Sequence, residues 1–171
     1  MKKFTFLLLL AASLSLAACG FHMRGHNSMQ VKLAFQSVYI RSPGETPFVA
    51  DLRKALELNK VTVANSAEEA TITLEIYSEV VDKQILTLSA SGRVLEYDLR
   101  YRVTIGAYDQ ELAFWLPTSD VSLDRRMNYD DSQVLAKEQE QAVLYKDMRT
   151  DAVAQVLRRL SRAKPPQDQA Q

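Results

Sequence analysis

The sequence predicts an α+β domain in which two helices pack on one face of a mostly antiparallel sheet of about four strands. Three observations predict it. Apolar residues recur at helical spacing in two stretches, residues 46–58 and 131–163. Between them the chain alternates, with Leu95, Tyr97, Leu99, Tyr101, Val103 and Ile105 on one face and Val94, Glu96, Asp98, Arg100, Arg102 and Thr104 on the other. A period of two over so many positions means a strand with one wetted face, which antiparallel sheets allow.

The elements follow in order. Phe35, Val38, Tyr39 and Ile40 mark a first strand over residues 35–41, broken by Ser42, Pro43 and Gly44. A helix starts at Glu45 or Thr46 with Pro47 in its first turn, where the missing N–H has no helical partner. Phe48, Leu52, Ala55, Leu56 and Leu58 form its apolar stripe, Asp51, Arg53, Lys54 and Glu57 its outer face, and Asn59 its cap. A short strand covers residues 61–64. Ile72, Leu74 and Ile76 then alternate with Thr71, Thr73, Glu75 and Tyr77, and Ser91-Gly92 supplies the turn into the long strand of residues 93–105. A third long strand, residues 111–124, points Val121 and Leu123 inward, and Pro117 within it requires a bulge or an edge position. The last helix is capped by Asp130 or Asp131. It carries Leu135, Ala142, Tyr145, Met148, Ala152, Val156 and Leu160 on one stripe and stops near Ala163, before Pro165-Pro166.

The first residues are a separate matter. Lys2 and Lys3 precede an almost wholly apolar run, residues 4–16, that ends in Leu16-Ala17-Ala18-Cys19. This is the charged, apolar, small-residue order of a secretory signal. The run is shorter than the ~20 residues that a spanning helix needs. The chain's only cysteine stands where a bacterial lipoprotein is cut and lipidated, so the segment resembles a lipobox; the alternative is an ordinary signal with a chance cysteine. Acyl burial is worth ~0.8 kcal/mol per methylene and stable anchoring takes about two chains, so a triacylated Cys19 suffices to hold the protein on a membrane. The expected organisation is a signal peptide (1–18), a lipid-anchored tether (19–30), an α+β domain (31–164) and a disordered tail (165–171).

Composition narrows the function. Twenty-one cations balance twenty-one anions, and a chain with no concentrated positive face is a poor partner for nucleic acid. The two histidines, His22 and His26, lie in the tether, where nothing locks them against a base or a metal. No HExxH, Gly-x-Ser-x-Gly or phosphate-binding glycine loop occurs. The carboxylate pairs Glu68-Glu69 and Asp130-Asp131 read as a solvated turn and a helix start favoured by the macrodipole. No catalytic residue, metal ligand or cofactor is expected beyond the lipid on Cys19. The cations offer more. Arg100 and Arg102 read as a solvated sheet face with ion pairs worth under about 1 kcal/mol each. The rival reading is an anion site of guanidinium forks, to which Arg93 beside the turn, Arg125 and Arg126 at the end of the third long strand and Lys137 early in the last helix would add.

Four stretches carry a family resemblance. Cys19-Gly20-Phe21-His22-Met23-Arg24-Gly25 resembles the mature start of the LptE (RlpB) lipopolysaccharide-assembly lipoproteins. Ser91-Gly92-Arg93-Val94-Leu95-Glu96-Tyr97 is similar to that family's turn and strand opening. Leu135-Ala136-Lys137-Glu138 and Lys146-Asp147-Met148 resemble its long C-terminal helix. The resemblance runs over essentially the whole mature chain. It implies a non-enzymatic lipoprotein at the periplasmic leaflet of the outer membrane that plugs the LptD β-barrel, supports its assembly and binds lipopolysaccharide. Lys137 fits the family's basic position on the helix. At the turn the family's basic residue precedes the glycine by two, where this chain has Ala90, and Arg93 restores charge to the same tip. Gly20, following the lipidated cysteine, is not the Asp that marks inner-membrane retention. The competing reading is a structural envelope or barrel-assembly lipoprotein that binds no lipopolysaccharide.

Overall fold

A computed structural model describes residues 31–165. The signal, the tether, Cys19 and both histidines lie outside the described residues, as does all but the first residue of the expected tail. Among the described residues the order is β1 (Ser37–Arg41), α1 (Pro47–Leu58), β2 (Thr62–Val63), β3 (Ile72–Leu88), β4 (Val94–Tyr108), β5 (Phe114–Asn128) and α2 (Val134–Leu160). The strands form one sheet in the order β2-β1-β3-β4-β5. Two antiparallel pairings, β3 with β4 and β4 with β5, make the larger part of it. The expectation of about four mostly antiparallel strands needs correction, because β1 pairs in parallel with both β2 and β3 and the sheet is five-stranded and mixed. The cause is local: β1, α1 and β2 form a crossover unit, which returns the chain parallel to its start.

The ends of α1 follow the sequence. Thr46 accepts from the Val49 N–H at 3.3 Å, Pro47 is its first residue, and Asn59 closes it, donating from Nδ2 to the Ala55 carbonyl at 2.7 Å. Phe48, Val49, Leu52, Ala55 and Leu56 are buried, whereas Leu58 is 66% exposed and is not part of the stripe. Asp130 caps a 3-10 turn over Asp131–Gln133, accepting from the Ser132 N–H at 2.9 Å, and α2 begins only after it. In α2 the residues Met148, Ala152, Val153, Val156, Leu157 and Leu160 are buried against the sheet, each large one worth about 1.5–3 kcal/mol. The expected stripe members Leu135 and Ala142 are exposed, because the first half of α2 runs past the core.

Both helices cover one sheet face. Leu99, Tyr101, Val103 and Ile105 of β4 point into it, as do Ile72, Leu74 and Ile76 of β3 and Val121, Leu123 and Met127 of β5. Leu95 shares their parity but is exposed, since it lies past the covered area. An irregularity between Ile76 and Ser78 shifts the register of β3, so that Glu79, Val81, Lys83 and Ile85 take the helix side beyond it. Gly106 leaves room there: a Cβ would stand 3.1 Å from the Tyr77 ring and 3.3 Å from the Thr118 hydroxyl. β5 is an edge strand with a register shift spanning Pro117, as that proline requires. Arg159 reaches from α2 to the Ser119 hydroxyl at 2.7 Å and the Asp120 carbonyl at 2.6 Å, and Arg125 donates to the Asp124 carbonyl at 3.0 Å.

Candidate functional site

β3, β4 and the end of β5 extend beyond the helix-covered core, and α2 starts beside them. This distal end is built from a hairpin whose turn is Ser89–Arg93, with Gly92 at φ +79° and the Ser89 N–H donating to the Arg93 carbonyl at 2.8 Å. Positive φ is cheap only for glycine, so the turn falls where Ser91-Gly92 places it. On the helix side, Lys83 of β3 lies 4.6 Å over the Tyr97 ring and donates to Gln141 of α2 at 2.8 Å. Tyr97 meets Tyr129 edge-on at 5.1 Å between centroids, and the Tyr145 hydroxyl donates to the Asp82 carbonyl at 2.8 Å. Desolvation, and then the neighbouring Tyr97, push the Tyr129 hydroxyl above its usual range.

The cations named from sequence take different places. Arg93 is exposed in the turn. Lys137 is mostly covered, forms an ion pair with Glu140 at 2.8 Å, and shares a helix face with Gln141 one turn away. It therefore lies at the same end as Arg93 and Lys83. Arg125 and Arg126 are divided by strand parity. Arg125 turns under α2 and pairs with Asp151 at 2.8 Å, while Arg126 stands on the opposite face in register with Asp98. Arg100 also belongs to that open face, held by Asp98 at 2.8 Å and Asp124 at 3.8 Å. The structure thus puts Arg93 and Lys137 at the same end of the domain and Arg125 and Arg126 on opposite sheet faces. Lys83 escaped the sequence reading, because residues 78–88 show no single alternation once the register shifts.

Exposed apolar side chains lie at the same end: Val81 and Ile85 of β3 and Leu95 of β4 on the helix side, Val134 and Leu135 on α2, and Leu88, opposite Val94, on the other sheet face. Apolar side chains at one end with lysine and arginine suit an amphiphile with an anionic head. Among the described residues no cluster of carboxylate, histidine or cysteine side chains is arranged for a metal, and no helix is long and apolar enough to cross a membrane.

Comparison with known proteins fixes the family. The LptE model, described as lipopolysaccharide-assembly, matches residues 35–160. The LPS-assembly lipoprotein LptE of Yersinia pestis (strain Pestoides F) is 30% identical over 160 residues, covering 90% of this chain and 73% of that protein. Its counterpart in Photorhabdus laumondii is 26% identical over 154 residues, covering 90% and 83% respectively. The solution structure of an uncharacterized lipoprotein B from Nitrosomonas europaea is 38% identical with a TM-score of 0.70, covering 83% of this chain and 90% of that one. The crystal structure of rare lipoprotein B from Shewanella oneidensis, at 24% identity and a TM-score of 0.63 over 71% of this chain and 91% of that one, shares the fold. The chain belongs to the LptE family, a family of non-enzymatic lipoproteins of lipopolysaccharide assembly.

Proposed function

We propose that this protein is anchored through lipid on Cys19 at the periplasmic leaflet of the outer membrane, plugs and supports assembly of the LptD β-barrel, and binds lipopolysaccharide during export. The observation that supports the ligand reading is the distal end, which carries Arg93, Lys83 and Lys137 together with exposed Ile85, Leu95 and Leu135. Phosphates on a glycolipid would meet the cations, and acyl chains the apolar rim. The opposite sheet face is polar, with Arg100, Arg102, Asp98 and Asp124, which suits enclosure in a water-accessible barrel lumen.

One observation favours the second reading, a structural lipoprotein without lipopolysaccharide binding: Lys137 and Arg125 already have carboxylate partners within the chain. A mild-detergent pull-down from native outer membranes decides between them. The proposal expects one large β-barrel at equal stoichiometry with lipopolysaccharide co-purifying, and the lipopolysaccharide reduced by Arg93→Ala with Lys137→Ala while the barrel stays. Barrel-assembly or peptidoglycan-linked components without that barrel would sink the plug reading. An intact barrel complex whose lipopolysaccharide content ignores both substitutions would favour the structural one.

A further inference from the structure

β3 has a bare outer edge over most of its length. β1 pairs with it along only four of its seventeen residues, from Ile72 to Glu75, before the chain leaves the sheet for α1. Past that point residues 78–85 keep one unbroken antiparallel register with β4, from Ser78 opposite Thr104 to Ile85 opposite Tyr97. Among the described residues no other backbone bonds to this stretch, and one side chain does, the Tyr145 hydroxyl donating to the Asp82 carbonyl at 2.8 Å. Val80, Val81 and Ile85 on it are each more than half exposed. A regular row of unpaired N–H and C=O groups between apolar side chains is a template for a further strand. We infer that this edge of β3 takes an extended segment of a partner protein as an added strand, one with an acidic residue opposite Lys83.

Charge selects the occupant. Main-chain pairing supplies affinity in strand addition, and the side chains opposite supply specificity. Lys83 is exposed between Val81 and Ile85 on the helix side, and its partners, the Tyr97 ring and the Gln141 amide, are neutral. Glu79, the carboxylate two residues away on that side, is held by Tyr101 and Thr46. An opposite charge directly across a strand pair stabilises it, and a like charge destabilises it. A second copy of this chain gives Lys83 no anion. Two antiparallel copies about a two-fold axis pair each residue with one at a fixed sum of positions. Centred on Val81, Lys83 would face the copy's Glu79, but the copy's residue 87 would then lie opposite Glu75, where β1 already stands. Centred on Asp82 or Lys83, identical charges meet; centred on Gln84, Lys83 faces Ile85. The rest of this chain offers no better strand. Residues 1–30 contain no carboxylate. Asp168 follows Pro165 by three residues, ~10 Å of chain, from the end of the sheet where Lys164 lies beside Trp115. Lys83 stands ~36 Å along β3 from its start at that end.

The probe is a synthetic peptide blocked at both ends, Thr-Val-Thr-Glu-Thr-Val-Thr, which sets Glu opposite Lys83 and Val opposite Val81 and Ile85. Amide NMR reads its binding to the full mature chain with Cys19→Ala, which carries no acyl group. Chemical shifts should move along residues 78–85, and amides there should gain protection from exchange, with β5 unaffected. Replacing the peptide's Glu by Lys should weaken binding about fivefold, and Lys83→Glu should reverse that preference. Melting curves verify that this variant is folded, and the peptide series needs no variant at all. N-methylation separates main chain from side chain, because alternate residues of a strand aim their N–H groups at opposite edges. Of two peptides, one methylated on the Thr set and one on the Val and Glu set, one should lose binding and the other keep it. No binding, shifts centred on β5 or the helices, equal binding of the Glu and Lys peptides, or equal effects of the two methylations would overturn the inference. Self-association of the chain through residues 78–85 would overturn it in favour of a second copy. Lys83 also belongs to the ligand reading above, and the two can fail separately. Lipopolysaccharide in the pull-down without peptide binding would remove the strand site and leave the ligand reading; peptide binding without lipopolysaccharide would do the reverse.

Discussion

Removing one oxygen atom from the core should reveal how the sheet holds α1. The Tyr101 side chain is 2% exposed, lies against Phe48 at 6.4 Å between ring centroids, and donates its hydroxyl to Glu79. The other Glu79 oxygen accepts from the Thr46 hydroxyl at 2.6 Å, and Thr46 in turn caps α1. One carboxylate thus ties β3, β4 and the start of α1 together. Tyr101→Phe keeps the ring and removes one of two donors to a charged, partly buried acceptor, a loss of about 2 kcal/mol. For a domain of this size that corresponds to a Tm lowered by about 6–8 °C. Urea melts should show a lower midpoint with an unchanged slope. In a Glu79→Val background the same substitution should cost about 1 kcal/mol less. The pH dependence follows with its sign. Burial, then the bond to Glu79, push the Tyr101 hydroxyl far above its ordinary value of 10.0. The folded state then holds a proton that the unfolded chain releases, so this stabilisation is complete below pH 10 and lost as pH rises above it, by about 1.4 kcal/mol per unit. Tyr101→Phe should remove one proton's worth of that alkaline slope. A midpoint shifted by less than about 0.5 kcal/mol, or full additivity with Glu79→Val, would refute the reasoning.

Four further outcomes are expected. Leu157→Ala, in the fully buried seam of α2, should cost about 2–5 kcal/mol in a denaturant melt without changing the fold seen by circular dichroism. Arg125→Ala should cost less than about 1 kcal/mol, because its pair with Asp151 is half exposed, and a double-mutant cycle measures this directly. The Asp130 carboxyl is held below its usual range by the Ser132 N–H and hydroxyl. Its contribution is therefore present above pH 3.8 and lost as pH falls further, so Asp130→Asn should flatten the acid limb of a Tm–pH profile. Leu112 occupies φ +63° and is 71% exposed, so Leu112→Gly should raise stability by about 0.5–1 kcal/mol in the same melts.

Elements whose apolar period stays in one phase were legible in the sequence. α1 could be placed from Thr46 through Asn59, and the inward face of β4 from Leu99 to Ile105, because burial and period coincide there. β3 could not be followed beyond Tyr77, since the shift at Ser78 moves the inward positions from even to odd numbers and scatters Glu79, Asp82 and Lys83 across both faces. The parallel arrangement of β1 and β2 was hidden by length: β2 pairs through only two residues, too few to show a period. For the candidate site, the sequence named Arg93, Lys137, Arg125 and Arg126 but not their arrangement, in which Arg93 and Lys137 lie at one end and Arg125 and Arg126 are divided by the sheet. Neighbours on a strand face opposite ways, and one of the two was taken up by α2. Leu95, Leu135 and Ala142 kept the right period and still missed the core, because period gives the face and not how far the covering helix reaches.

Lipid-anchored molecules are confined to two dimensions, where encounters between copies are frequent and roughly aligned. A long outermost strand such as β5 would ordinarily invite a second copy to join its sheet. Here Pro117 offers no N–H, and guanidinium groups occupy the carbonyls of Asp120 and Asp124. A joining strand would have to evict two arginines, one of them tethered to α2. The sheet is therefore terminated chemically on that side, and the β5 edge is closed to strand addition by another copy.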